Sequence, residues 1–256
     1  MKVAFSGKGG VGKTTIAAAV IEHALKKGSR VFAIDADMDP NLPGALGFDQ
    51  PITPISEMKD LMQQRMEVDK SAPGMYKLNP FVADIPEKYA VRRGNLTLVV
   101  LGAIDRGGSG CACPENAFLR NLMSHIVISE SDWVVLDMEA GVEHMGRATA
   151  KSVDAMIIVA EPTPKAVQTV LKVRELGKDI GVERIAVVGN KIRVPADLEF
   201  LRARVAPLPI AGWLPFLEGA AEIERGGRGG FAELVPGQRI EELVAGIAAL
   251  VGEAKW

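Results

Sequence analysis

One stretch near the N-terminus, Gly7-Lys8-Gly9-Gly10-Val11-Gly12-Lys13-Thr14-Thr15, constrains this chain more than any other. It matches the phosphate-loop pattern G-x-x-x-x-G-K-[ST] and lies between an apolar run, Val3-Ala4-Phe5, and the alanine-rich helical pattern Ile16-Ala17-Ala18-Ala19-Val20. Strand, glycine loop and helix in that order let the backbone N–H groups of Gly9, Gly10, Val11 and Gly12 turn inward around phosphate oxygens. The start of the helix, with Thr15 in its first turn, adds the positive end of its dipole. Lys13 is then expected to reach the β- and γ-phosphates and the Thr14 hydroxyl to hold Mg²⁺. The stretch predicts a binder of nucleotide phosphates.

Short apolar runs rich in Val and Ile recur along the chain, at Val3–Ser6, Val31–Asp35, Leu96–Gly102, Trp133–Asp137, Ala155–Ala160, Ile185–Asn190 and Ile210–Leu214, with longer helical patterns between them. Continuous apolar strands alternating with helices predict an α/β fold: a doubly wound, mostly parallel sheet covered by helices on both faces. With 256 residues, 48% of them hydrophobic, the chain can bury a large core and sits near the upper size for one such domain, so residues 1–256 are expected to form one. A formal net charge of -2 offers no basic footprint, which disfavours nucleic acid as the main partner. The glycine loop follows too soon for a signal-peptide core, and no apolar run approaches the ~20 residues of a membrane span. A cytoplasmic protein without membrane attachment is expected.

Further along, helix one is predicted over about 12–27, ended by Gly28. The next strand ends in Asp35-Ala36-Asp37-Met38-Asp39-Pro40-Asn41, which puts carboxylates at the strand edge where open α/β sheets bind ligands. Residues from about 47 to 95 read as an irregular insertion with one helix around Ser56–Met66, of a kind that often carries partner contacts.

The two cysteines of the chain fall in one glycine-rich loop, Gly110-Cys111-Ala112-Cys113, just before a helix predicted from Pro114. Pro at the first helical position makes Cys113 the N-cap, where a thiol is readily ionised. Two thiolates are too few for a closed metal site. Two copies of the loop would supply four soft ligands, suited to Zn²⁺ or, in a square plane, to Ni²⁺. A redox switch and a pair of small buried residues are the other uses of such a pair.

The string KGGVGKTT resembles the deviant phosphate loop of the family of the nitrogenase iron protein, the arsenite-pump ATPase and the Min and Par ATPases. That resemblance implies a homodimer in which Lys8 crosses the interface to the partner's nucleotide. It also implies that Asp37 positions or activates the attacking water. Asp137, at the end of an apolar strand, would join the Mg²⁺ shell, and Gly141 would approach the γ-phosphate. Asn190 would contact adenine, aided by the loop with Pro215 and Phe216.

A narrower likeness rests on Gly110-Cys111-Ala112-Cys113-Pro114-Glu115-Asn116 and Asp137-Met138-Glu139-Ala140-Gly141-Val142-Glu143-His144-Met145-Gly146-Arg147. These strings resemble the accessory ATPases that insert nickel into carbon monoxide dehydrogenase and acetyl-CoA synthase. The resemblance implies a Mg-ATP-dependent nickel chaperone whose dimer closes one Ni²⁺ (or Zn²⁺) site at Cys111 and Cys113 and serves a nickel–iron–sulfur client. An iron–sulfur electron-transfer ATPase and a partition or positioning switch are the alternatives. The partition reading is disfavoured by the lack of a basic amphipathic tail after the apolar helix at about 238–252. His23 and His125 are expected in ordinary packing or surface roles, whereas His144 falls in the segment that would sense the nucleotide.

Overall fold

The structure is a computed structural model describing residues 1–67, 76–77, 79–102, 114–129, 133–139, 145, 147–219 and 234–252. Cys111, Cys113, Gly141 and His144 lie outside the described residues.

Eight strands form one sheet: β1 (Lys2–Gly7), β2 (Val31–Ala36), β3 (Val91–Arg93), β4 (Leu96–Val100), β5 (Trp133–Met138), β6 (Ala155–Ala160), β7 (Ile185–Ile192) and β8 (Ile210–Pro215). Their spatial order is β3-β4-β2-β5-β1-β6-β7-β8, and every neighbouring pair is parallel except β3 with β4. The seven apolar runs are all strands. The eighth, β3, escapes sequence reading because Val91-Arg92-Arg93 is short and half polar; it is an edge strand held by a tight antiparallel hairpin.

Helices cover both faces, as the doubly wound pattern requires. Alternation along each strand divides the core in two. Val3 and Phe5 of β1, with Ala33, Val135 and Ile157, pack under α1 (Lys13–Lys26) and the C-terminal α9 (Gly237–Val251). Ala4, Ile34, Leu136 and Ile158 face the other way, towards α3 (Lys59–Arg65), α5 (Pro114–Ser129), α7 (Pro164–Ile180) and α8 (Pro195–Val205). Short α2 (Leu42–Ala45), α4 (Ile85–Tyr89) and α6 (Arg147–Ser152) fill the gaps.

Local signals explain most boundaries. Helix α1 closes on Gly28, whose φ of 84° suits glycine, and Thr163 caps α7 by accepting the Ala166 N–H at 3.3 Å ahead of Pro164. Helix α5 begins at Pro114 and buries Phe118, Leu119, Leu122, Met123, Ile126 and Val127, the face its spacing predicts. The insertion departs from expectation: the single helix at 56–66 is two pieces, a 3₁₀ turn at Ile55–Glu57 and then α3, broken at Met58. The break follows from a tertiary bond, because the Ser56 N–H donates to Leu101 O at 2.9 Å and fixes the turn against the end of β4.

Candidate nucleotide-binding site

The phosphate loop leaves β1 between β5 and β6 and enters α1 at Lys13. Its glycines are required by position. Gly7 has a φ of 150°, and a Cβ there would lie 2.5 Å from Val159 O; Gly12 has a φ of 91°, and a Cβ there would strike the Asn190 carboxamide. The Ile16 N–H donates to Gly12 O at 3.1 Å as the first helical bond, so the N–H groups ahead of it are left facing the loop. Lys13 is only 7% exposed, with Thr14 half-buried beside it. Lys8, also half-buried, sits on the turn in which Val11 N–H donates to Lys8 O at 3.3 Å.

The adjacent strands bring carboxylates to this loop. Strands β2 and β5 are in register so that Asp35 pairs with Asp137, each two residues after a position, Ala33 or Val135, that faces α1. Both are fully buried. Asp35 accepts the Asp37 N–H at 3.1 Å and the Leu42 N–H at 2.9 Å, which folds the segment after β2 back over the strand end. Asp37 is half-buried on that fold and accepts the Asp39 N–H at 3.1 Å.

Neither oxygen of Asp137 has a hydrogen-bond partner. Burial pushes its carboxyl up to about 6. The Thr14 hydroxyl, close by but outside bonding geometry, and the Lys13 ammonium hold it back from going higher. Asp35 is raised to about 7, by burial first and by the Asp137 charge second. A buried pair of oxygens with no donor, next to a hydroxyl and at the mouth of a phosphate loop, is the donor set that a hard divalent cation such as Mg²⁺ takes.

Strands β7 and β8 supply the outer wall. Asn190, at the end of β7, donates through Nδ2 to Val11 O at 2.7 Å, so it touches the phosphate loop itself. Pro215 ends β8, and the following Phe216, 40% exposed, donates its N–H to Ile192 O at 3.0 Å. The Arg193 guanidinium stacks 3.7 Å from the Phe216 ring centroid. Of the three residues expected to contact a base, Pro215 and Phe216 sit opposite Ile192, two residues beyond Asn190, whose carboxamide is turned to the phosphate loop.

His23 lies in a groove between α1 and α9, where burial and then Lys27 push its pKa down, and His125 lines a cleft at the opposite end of the sheet with Arg30 and Arg92. Neither reaches the site. Among the described residues no group of three or more His, Cys, Asp or Glu is arranged for a metal ion.

Asp35, one of the carboxylates expected at the end of β2, has a signal, an acidic residue at a buried position of an otherwise apolar strand. Two residues of the site escaped sequence reading. Lys191 and Glu161, which meet beside the phosphate loop, have no such signal, because the contact depends on how β7 bends.

The comparison with protein families gives a match over residues 2–228 to the CobQ/CobB/MinD/ParA nucleotide binding domain. The chain belongs to that family. It is 39% identical over 220 residues to the carbon monoxide dehydrogenase accessory protein CooC of Rhodospirillum rubrum, covering 84% of each chain. It is likewise 39% identical over 222 residues to an uncharacterized ATP-binding protein of Methanocaldococcus jannaschii, covering 85% of this chain and 86% of the other. Among solved structures, the MinD cell division protein of Aquifex aeolicus matches with a TM-score of 0.66 at 23% identity, over 99% of this chain and 98% of that one. A ParA family ATPase from Chlorobium tepidum matches with a TM-score of 0.67 at 19% identity, over 95% and 97%. The mostly parallel sheet is therefore that of the MinD/ParA phosphate-loop fold. No helix among the described residues is long and apolar enough to cross a membrane.

Proposed function

We propose that this chain is a Mg-ATP-dependent metallochaperone that binds Ni²⁺ between two copies of itself and inserts it into the active-site cluster of a carbon monoxide dehydrogenase or acetyl-CoA synthase. The observation that carries this reading is the 39% identity, over 84% of both chains, to a protein named for its accessory role to carbon monoxide dehydrogenase. The site chemistry supports the nucleotide half of it.

Lys13, little exposed to water, neutralises the β- and γ-phosphates, and the N–H groups of Gly9, Gly10 and Gly12 hold their oxygens, that of Val11 being taken by Lys8 O. Thr14 and Asp137 hold Mg²⁺, which when bound spreads the charge of the phosphate oxygens. Asp37, carried on the fold pinned by Asp35, orients the water that attacks the γ-phosphorus, giving ADP and inorganic phosphate. Lys8 reaches the nucleotide of the partner copy, and Gly141 approaches the γ-phosphate. Asn190, Pro215 and Phe216 receive the adenine. The nickel ion is cargo: with ATP bound, the two copies bring their Cys111 and Cys113 thiolates into one four-sulfur site, and hydrolysis opens it. Residues 1–256 act as one domain in this scheme, in the cytoplasm, with no nucleic acid or membrane partner.

Titration with Ni²⁺ in the presence of ATP, followed by size-exclusion chromatography with metal analysis of each peak, tests the reading. One Ni²⁺ per dimer is expected, lost in Cys111→Ala and in Cys113→Ala. Unaltered nickel binding in the double variant overturns the site, and a brown iron-containing dimer from anaerobic preparation overturns the choice of cargo.

A further inference from the structure

We propose that Lys191 is a positioning residue that braces the phosphate loop from its outer side. The backbone is bent to make this possible. Pairing between β7 and β8 slips between Gly189 and Ile192, and within that slip Lys191 has a φ of 58°, a left-handed conformation uncommon for a lysine. Such irregularities next to a site re-aim side chains that regular alternation would send elsewhere.

What Lys191 reaches is the loop. Its Nζ donates to Gly10 O at 2.6 Å and pairs with Glu161 Oε2 at 3.6 Å, Glu161 being the residue just after β6. The neighbouring Asn190 donates to Val11 O at 2.7 Å. Two successive carbonyls of the loop are therefore drawn outward by two successive residues of β7. In a trans peptide the N–H points opposite to its carbonyl, so holding Val11 O outward turns the Gly12 N–H inward. The Gly10–Val11 peptide is pinned at both ends, its carbonyl by Lys191 and its N–H by Lys8 O at 3.3 Å.

The ammonium stands on the carbonyl side, with Glu161 balancing its charge, so Lys191 acts on the shape of the cradle and not as a phosphate ligand. It should support any nucleotide carrying a β-phosphate, whether or not a γ-phosphate is present. This separates it from Lys13.

The inference rests on the nucleotide-binding reading of the loop. The test is titration of wild type, Lys191→Met, Lys191→Arg and Glu161→Gln with Mg-ATP and with Mg-ADP, together with melting temperatures and the amide exchange of residues 9–12. Loss of a charge-assisted hydrogen bond is expected to weaken both nucleotides by about tenfold in Lys191→Met, with faster loop exchange. Lys191→Arg should recover most of the affinity, and Glu161→Gln should lose about threefold. Where turnover is measured, KM rises and kcat holds within about twofold. Equal affinity of Lys191→Met and wild type overturns the brace, as does a variant that loses ATP affinity and keeps that for ADP. A wild type that binds neither nucleotide overturns the nucleotide reading itself. Should Lys191→Met fail to fold, the Arg and Glu161→Gln variants decide the matter.

Discussion

Two acidic sites in this molecule are shifted in opposite directions. At the sheet edge Asp35 and Asp137 are buried side by side, and their carboxyls are pushed up to about 7 and about 6, chiefly by burial. In the insertion, Asp84 is held down to about 2, first by its hydrogen bond from Arg65 and then by that from Lys88, at 2.6 and 2.8 Å. The insertion supplies the cations for Asp84 from within, and Arg65 also donates to Phe81 O at 3.2 Å and lies over the Phe81 ring. At the sheet edge Asp35 accepts two backbone N–H groups, while neither oxygen of Asp137 has a hydrogen-bond partner. Paired ions hold a segment together, whereas a buried carboxylate with no donor, on the function proposed above, is kept for a cation.

The largest effect should come from breaking the waiting side. Asp137→Asn removes a buried charge without changing shape, so the free protein should melt no lower than wild type. On the proposed function the same change removes a ligand for Mg²⁺, and ATP turnover should fall by about 10²-fold or more. Turnover within a few fold of wild type would show that the orphaned oxygens do not hold the cation.

pH separates the two regions next. For the sheet-edge pair the folded pKa values lie above the ordinary aspartate value of 3.8, so the folded state binds protons more tightly than the unfolded chain. Stability of the free protein should therefore rise as pH falls from about 8 towards 5. For Asp84 the folded value lies below 3.8, so its contribution is whole above that pH and is lost as pH falls towards 2. Melting temperatures measured without divalent cations should pass through a maximum near pH 5. Asp137→Asn should flatten the upper limb alone, and a profile that falls monotonically from neutral pH would contradict the raised pair.

Breaking the paired side should cost less and cost only stability. Arg65→Ala leaves Asp84, whose side chain is 20% exposed, with Lys88 as its remaining cation and its buried Oδ1 still without a partner. A loss of about 1–2 kcal/mol is expected in denaturant unfolding, with nucleotide affinity unchanged. A change in affinity would show that the insertion acts on the site.

The same contrast explains what could be read from the chain alone. The nucleotide half was legible because each part is local: β1, loop and α1 are contiguous, and Asp137 and Asp35 each end an apolar run. That they stand opposite each other was not legible, because it depends on the pairing of β2 with β5, strands that are not consecutive in the chain. The rest depends on contacts between distant parts of the chain. The break at Met58 is set by Leu101, the clasp of Lys191 on Gly10 by a slip in β7, and the Asp84 pairing by Arg65, 19 residues earlier. No periodicity announces such contacts. Cys111 and Cys113 stay a matter of sequence, lying outside the described residues.

The smallest effect bears on how firmly the two regions are joined. Under α1 the core is built from Ala17, Ala18 and Ala19, where close approach leaves no room for change, whereas α3 plugs the other face with Met62 beside the equally buried Met66 and Ile85. Methionine fills irregular space with an unbranched chain, so Met62→Leu conserves volume and should cost less than about 1.5 kcal/mol. The insertion meets the sheet edge through two backbone bonds in series, Ser56 N–H to Leu101 O at 2.9 Å and Leu101 N–H to Asp35 O at 2.8 Å. If those bonds only anchor the insertion, repacking at Met62 leaves Mg-ATP affinity and turnover at wild-type values. If they transmit strain to Asp35, and through it to the fold that carries Asp37, turnover changes while stability barely moves. Parallel unfolding and turnover measurements on Met62→Leu distinguish the two, and independence of the regions is the expected result.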